Sequence, residues 1–168
     1  HYLLGSNLRM TELQAAILLG QLTRLEAQTV KREENAAYLD ERLKDVPGIA
    51  LMKKEAHVTR RSYHMYAFRF LREAWEGVGR EKFLAALHAE GIRVGPGYPT
   101  PLYKNPLFRK PGRSGMDYNR VTCPNAERIC EEACWINHQI LLAGEADMND
   151  IATGIEKVWE QREELTDA

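Results

Sequence analysis

Thr11-Glu12-Leu13-Gln14-Ala15-Ala16-Ile17-Leu18-Leu19-Gly20-Gln21-Leu22 is the stretch on which the fold turns. Its first four residues have the capping-box pattern, in which the Thr11 hydroxyl accepts from the Gln14 amide and the Gln14 side chain accepts from the Thr11 N–H. Apolar residues then recur at helical spacing: Leu13, Ile17, Leu18, Leu22, Leu25 and Val30, and later Ala36, Leu39 and Leu43. No proline interrupts them before Pro47-Gly48. The spacing predicts one long helix that ends there, with a bend near Gly20 or Thr29. From Leu13 to Leu22 the helix is apolar nearly all round, apart from Gln14 and Gln21, whereas Lys31-Arg32-Glu33-Glu34 is strongly charged. A helix buried at one end and wet at the other is expected to bridge two bodies, either domains or subunits.

Downstream, Ile49-Ala50-Leu51-Met52 is a short strand candidate. Ser62 to Phe70 is a stronger one, with Tyr63, Tyr66, Phe68 and Phe70 along its length. Arg80 to Glu90 reads as a helix with Phe83, Leu84 and Leu87 on one face. Gly91 stands where a left-handed cap is wanted, and Ile92 is placed to pack back on the last turn. Ile92-Arg93-Val94 opens a third strand into Gly95-Pro96-Gly97. Tyr98 to Asn119 has no period and is expected to be an extended connection with one helical turn, of the length that usually serves function. Pro124 begins a helix whose buried side is expected to carry Ala126, Ile129, Cys130, Ala133 and Cys134. A last helix is expected from Asp147, striped by Met148, Ile151, Ile155, Val158 and Trp159. So few strands cannot cover both their faces, which predicts an α+β fold, a small sheet covered by helices.

The composition narrows the function. The chain has 168 residues, 44% hydrophobic and 28% charged, with a formal net charge of -1. That suits a soluble domain with a real core. Lys+Arg 23 against Asp+Glu 24 gives none of the basic excess expected of a nucleic-acid or anionic-membrane surface. No apolar run approaches the roughly 20 residues of a membrane span, and no signal-peptide pattern is present, so a cytoplasmic location is expected. The three cysteines, Cys123, Cys130 and Cys134, do not suggest a disulfide framework. Cys130 and Cys134 are spaced to share a helix face, but no second pair completes a zinc set, so both read as small core residues. A start at His1 with a long helix almost at once reads as the start of a domain fragment.

Gly5-Ser6-Asn7-Leu8-Arg9-Met10-Thr11-Glu12-Leu13-Gln14-Ala15-Ala16-Ile17, followed by Gln21-Leu22, resembles the G-x-N-x-R-M-x-E-x-Q-A-A-I…Q-L signature of the DegT/DnrJ/EryC1/StrS aminotransferases. Further stretches agree in the same order. Tyr63-His64-x-Tyr66 is similar to the first strand of that family's small domain. Gly91-Ile92 with Gly97-Tyr98-Pro99-x-Pro101-Leu102-Tyr103 is similar to its substrate-facing loop. Cys123-Pro124-x-Ala126-Glu127 and Trp135-x-x-His138-x-x-Leu141-Leu142 are similar to its late helix and the turn after it.

The resemblance implies the C-terminal part of a fold-type I pyridoxal-phosphate (PLP) enzyme that works as a homodimer. Residues 1–46 would form the linking helix and residues 47–168 the small domain. The cofactor lysine would lie in a large domain upstream; Lys31, Lys53, Lys82 and Lys104 read as surface residues, so the fragment alone is expected to have no turnover. The implied reaction carries an amino group from glutamate or glutamine to a keto sugar, nucleotide-linked or cyclitol-like. The Trp135…His138…Leu142 stretch leans towards relatives that work on keto-inositol or antibiotic sugars. Two other readings stay open: a PLP-dependent sugar dehydratase of the same family, and a non-enzymatic module that dimerises through the Leu13 to Leu25 face.

The resemblance also nominates residues. Asn7 matches the Asn that reaches the cofactor phosphate of the partner subunit, while by itself it reads as a turn residue bonding its own backbone. Arg9 suits a donor carboxylate or a substrate phosphate, and equally an ion pair at a surface. Tyr98 and Tyr103 match the substrate-facing loop, although many relatives have His where Tyr103 stands; a loop anchor explains either tyrosine as well. His64 reads as a core histidine of its strand, and His138 as a structural hydrogen-bond partner.

Overall fold

The capping box at Thr11 forms as expected. In the computed structural model, which describes residues 9–109 and 117–166, the Gln14 amide donates to Thr11 Oγ1 at 3.4 Å and the Thr11 amide to Gln14 Oε1 at 2.9 Å. From this cap helix α1 runs without interruption through Gly20 and Thr29, Glu12–Leu43, 32 residues or about 48 Å. Only its second half is packed. Thr29, Arg32, Asn35, Ala36, Leu39 and Leu43 are buried, whereas Leu13, Ile17, Leu18, Leu19, Leu22 and Leu25 are all exposed. The sequence pattern placed the dry end of the helix at its start; within this chain the charged half is the dry one.

Four strands form one antiparallel sheet: β1 (Ile49–Leu51), β2 (Met65–Phe70), β3 (Val94–Pro96) and β4 (Ala133–Asn137), in the order β1-β2-β4-β3. Tyr66, Phe68 and Phe70 of β2, with Cys134 and Ile136 of β4, point into the core. Helices α2 (Arg80–Ala89) and α5 (Glu145–Glu160) and the packed half of α1 cover that face, joined in the core by residues of the turns and edge strands such as Ile49, Trp75, Val94 and Leu141. Trp75 is fully buried in it, ringed by Phe70, Phe83 and Trp159 at centroid distances of 5.0, 4.7 and 4.9 Å.

One helix end follows its sequence signal and one start falls earlier than the expected Asp147. Gly91 takes φ +83°, the Ile92 amide donates to Leu87 O at 2.8 Å and the Gly91 amide to His88 O at 3.0 Å, the paired bonds of a Schellman motif. The last helix begins two residues before Asp147, because Asp147 Oδ2 reaches back to accept from the Gly144 amide at 2.8 Å. Its apolar stripe packs on α1, where the Arg42 guanidinium donates to Glu156 at 2.7 and 3.1 Å and to Asn149 Oδ1 at 2.7 Å. Asn35 Nδ2 donates to Leu141 O and Ala143 O at 2.9 and 3.0 Å, fixing the turn that follows β4.

Three expectations need correction. The β2 strand starts at Met65 rather than Ser62, because Tyr63 takes φ +45° and breaks the extended run. Helix α4, Pro124–Glu132, stops before Ala133, whose ψ of 134° opens β4; the i, i+4 pair Cys130/Cys134 had disguised a helix-to-strand change. Ala126 and Ile129 are accordingly exposed. The buried residue of α4 is Glu132, whose carboxylate accepts from Arg69 and Arg128 at 2.6 Å each. Burial opposes ionisation of Glu132, but the bonds from Arg128 and Arg69 outweigh it and hold its carboxyl below the ordinary value. The connection after β3 contains a 3-10 turn Leu102–Lys104, the single helical turn α3 (Pro106–Arg109) and a 3-10 turn Tyr118–Arg120. Among the described residues no helix is long and apolar enough to cross a membrane.

Candidate functional site

Strand β4 carries Trp135 and Asn137 on the sheet face opposite the core. Trp135 is paired in register with Gly95 of β3. A Cβ at position 95 would lie 3.1 Å from Trp135 Nε1 and 3.4 Å from its Cδ1, so the missing side chain is what lets the indole lie against the edge strand. Tyr98, 70% exposed, meets Trp135 edge-on with centroids 5.3 Å apart and ring planes at 82°. Beside them opens a cleft of about 750 Å3, lined chiefly by His88, Arg93, Gly95, Trp135, Asn137 and Gln139. His88 is held there by its Nε2–H, which donates to Val94 O at 2.8 Å.

A second cleft, about 440 Å3, lies beside the start of β2 between Asp40, Arg60, Arg61, Tyr63, His64 and Tyr66. Tyr66 OH donates to Asp40 Oδ1 at 2.8 Å. Burial raises the Asp40 carboxyl above its ordinary value, against the lowering effect of the Tyr66 bond and Arg61. His64 is not a core residue. It is exposed, because the turn at Tyr63 takes it out of the strand, and it stacks on His138 with centroids 5.7 Å apart and planes at 19°. His138 Nδ1 is buried with no partner among the described residues.

The nominated residues fall in different surroundings. Asn7 lies outside the described residues. Arg9 is exposed just before the capped start of α1. Tyr98 touches the Trp135 ring edge-on but does not line the cleft beside it. Tyr103 is tied to α4: its hydroxyl donates to Glu127 Oε1 and accepts from the Cys123 amide at 3.2 Å, while Lys104 Nζ meets Glu127 Oε2 at 3.1 Å. Desolvation and the bond to Glu127 raise the Tyr103 phenol above its ordinary value. The same bond, followed by that from Lys104, lowers Glu127. No hydrogen bond, ion pair or ring contact joins Arg9, Tyr98 and Tyr103 to one another among the described residues. Sequence reasoning missed Arg93, Asn137 and Gln139, because their neighbourhood exists only once β4 lies beside β3. The alternation Ala133-Cys134-Trp135-Ile136-Asn137 was the available signal. Of the cysteines, Cys134 is fully buried, with its thiol pushed up to about 12 by burial, Cys130 is half-buried and Cys123 is exposed. No group of three or more His, Cys, Asp or Glu among the described residues is arranged to hold a metal ion.

A model of the DegT/DnrJ/EryC1/StrS aminotransferase family matches residues 1–156. The chain belongs to this family. As a member of the DegT/DnrJ/EryC1/StrS family it is similar to the L-glutamine:2-deoxy-scyllo-inosose aminotransferase of Micromonospora echinospora, 36% identical over 97% of this chain and 40% of that protein. The enzyme of the same description from Streptomyces paromomycinus is 35% identical over 93% of this chain and 39% of its own length. Among solved structures, 3-amino-5-hydroxybenzoic acid synthase superposes with a TM-score of 0.77 at 26% identity, over 96% of this chain and 42% of that one. The chain thus spans about two fifths of the length of these family members.

Proposed function

We propose that the chain is the C-terminal part of a PLP-dependent aminotransferase that moves an amino group from glutamine, or glutamate, to the ketone of a sugar or cyclitol. The observation that carries this reading is the match of nearly the whole chain to glutamine:inosose aminotransferases from two organisms. In this reading residues 1–46 link to the large domain and residues 47–168 form the small one. The cofactor lysine then comes from the large domain. Neither cleft described above is lined by a lysine, and Lys82 and Lys104 are engaged with Leu165 O and Glu127.

The start of α1 fits the phosphate end of the cofactor. It sets an exposed guanidinium, Arg9, beside the positive end of a 32-residue helix. There the capping box satisfies only some of the first-turn amides. Asn7 would contact the phosphate of the cofactor held in the partner subunit of a homodimer, and Arg9 would hold the donor carboxylate or a substrate anion by its fork of donors. When bound, the cofactor supplies the electron sink that lets an amino group change carriers. The chain's own residues position and enclose. Tyr98 presents its phenol, unbonded among the described residues, to the substrate. Tyr103 acts by pinning the loop that carries Tyr98 to Glu127.

The exposed Leu13 to Leu25 face of α1 is covered, in this reading, when the large domain and the second protomer are present. Adding PLP to the intact protein and recording its visible absorbance tests the proposal. A coloured holoprotein bleached by glutamine is expected; a protein that stays colourless overturns it. Residues 1–168 alone should show no turnover with the same reagents.

A further inference from the structure

Seven-residue steps along α1 place Leu18, Leu25, Arg32 and Leu39 on one stripe of the helix, since seven residues make almost two turns. The stripe runs from surface into core. Leu18 and Leu25 are 47% and 51% exposed, Arg32 is 9% exposed and Leu39 is fully buried. Arg32 thus puts a charge at the seam between the two halves. Among the described residues its guanidinium makes one long bond, Nη2 to Gln28 Oε1 at 3.5 Å, while its Nε is buried without a partner and no carboxylate pairs with it. The adjacent Glu33 is taken: it accepts from Arg60 Nε and from the Arg61 amide, at 3.1 Å each. A guanidinium removed from water without a counter-charge is strongly unfavourable, so its burial points to an anion brought by another surface.

We propose that a carboxylate from the part of the protein preceding residue 1 pairs with Arg32 and fixes the register of the surface laid over Leu18 and Leu25. The proposal rests on the reading of residues 1–46 as the link to an upstream domain, and adds to it the chemistry of the contact. Leucines on a helix stripe tolerate sliding, whereas a buried charge is satisfied in one register only. A carboxylate fits because its two oxygens meet the guanidinium fork and supply the missing charge together. A second copy of this face is the wrong partner. Residues 13–25 contain no Asp or Glu and one further cation, Arg24, and the next acid, Glu26, is held by Arg60. Two such stripes packed about a twofold axis would set Arg32 against leucine or another cation. Within the chain, Asp167 is the one acidic side chain outside the described residues.

The test uses the intact protein as wild type, Arg32→Lys and Arg32→Met, compared where the circular-dichroism spectrum is retained. Amide exchange over residues 13–25 reads the cover. Arg32→Met should speed exchange there by about 10-fold or more, and Arg32→Lys, which keeps the charge, should restore most of the protection. Exchange unchanged in Arg32→Met, or raised equally by both, overturns the proposal. In Arg32→Lys a carbodiimide should also couple the introduced amine to an Asp or Glu, which peptide mass mapping locates. An acid preceding residue 1 in the same chain is expected. Coupling to Asp167 or any other acid of residues 1–168, to an acid of a second copy, or to none, overturns it. If Arg32→Lys misfolds, Arg32→Gln and Arg32→Glu take its place: exchange faster in Arg32→Glu is expected, and equal rates overturn the acid partner. Amination of an inosose by glutamine, measured on the wild-type preparation, keeps the two readings separate. Amination without the Arg32-dependent cover sinks the ion pair alone, and the cover without amination sinks the transferase alone.

Discussion

The two halves of α1 reverse what their composition suggests. The half rich in leucine, from Leu13 to Leu25, stands in solvent, with Leu13 74% exposed. The half that contains Lys31-Arg32-Glu33-Glu34 is built into the core, where Leu39 and Leu43 are fully buried and Asn35 bonds the turn after β4. Charge does not keep that half out, because it can be bonded on the way in. Glu33 accepts from Arg60, Arg42 reaches Glu156 and Asn35 satisfies two carbonyls, while the buried Arg32 bonds Gln28 at 3.5 Å and leaves its Nε without a partner among the described residues. Among the described residues nothing covers the leucines of the other half. Apolar residues all round a helix therefore need not mark the core of the chain that carries them, while a narrow stripe, as at Ala36-Leu39-Leu43, marks local core.

Substitutions along α1 test this contrast. Leu39→Ala should have the largest effect, lowering the stability of the chain by about 2–5 kcal/mol in denaturant unfolding, because the side chain is wholly enclosed. Asn35→Ala should cost about 2 kcal/mol by leaving Leu141 O and Ala143 O without their donor, read in the same experiment. A loss as small as that of a surface change at either site would remove the packed half from the core.

Asp40, also on the packed half, gives a pH signature. Its carboxyl titrates above the ordinary 3.8 because of burial. The folded state therefore holds its proton more tightly than the unfolded chain does. That contribution is fully present below 3.8 and is lost as pH rises through the raised value. Asp40→Asn should flatten this part of the curve of melting temperature against pH; an unchanged curve would assign the dependence elsewhere.

Thr11→Ala should remove the cap of the exposed half at a cost of about 1 kcal/mol or less, seen as fraying of the first turn in amide exchange rather than as a lower global stability. Leu22→Ser should be the mildest in the chain by itself, within about 0.5 kcal/mol. In the homodimeric enzyme proposed above, the same change should raise the dissociation constant of the dimer, as measured by sedimentation. A Leu22→Ser variant that destabilises the isolated chain as much as Leu39→Ala would erase the distinction between the halves.

What could be read in advance follows the same physics. The capping box, the Gly91 Schellman end, the α2 face and the α5 stripe depend on neighbours within one helix, and all stood in the sequence. The α+β class followed from too few strands for a self-covering sheet. Strand β4 did not, because five residues after a helix of the same apolar spacing carry too short an alternation to be separated from it. The cleft went unseen for the same reason, since Arg93, Gly95 and Trp135 become neighbours only through β3–β4 pairing. His64 was misplaced because a left-handed backbone at a tyrosine, Tyr63, has no sequence mark. Tyr98 was legible as a loop aromatic, but its partner Trp135 was not.

The central claim, that this chain completes a transaminating enzyme, is tested most directly by isotope transfer. The intact protein, given PLP, amine-labelled glutamine and 2-deoxy-scyllo-inosose or a nucleotide keto sugar, should deliver the labelled nitrogen to one of these ketones, as followed by mass spectrometry. Residues 1–168 alone should deliver none. Labelled nitrogen that never leaves glutamine, with PLP bound and every acceptor tried, would contradict the account.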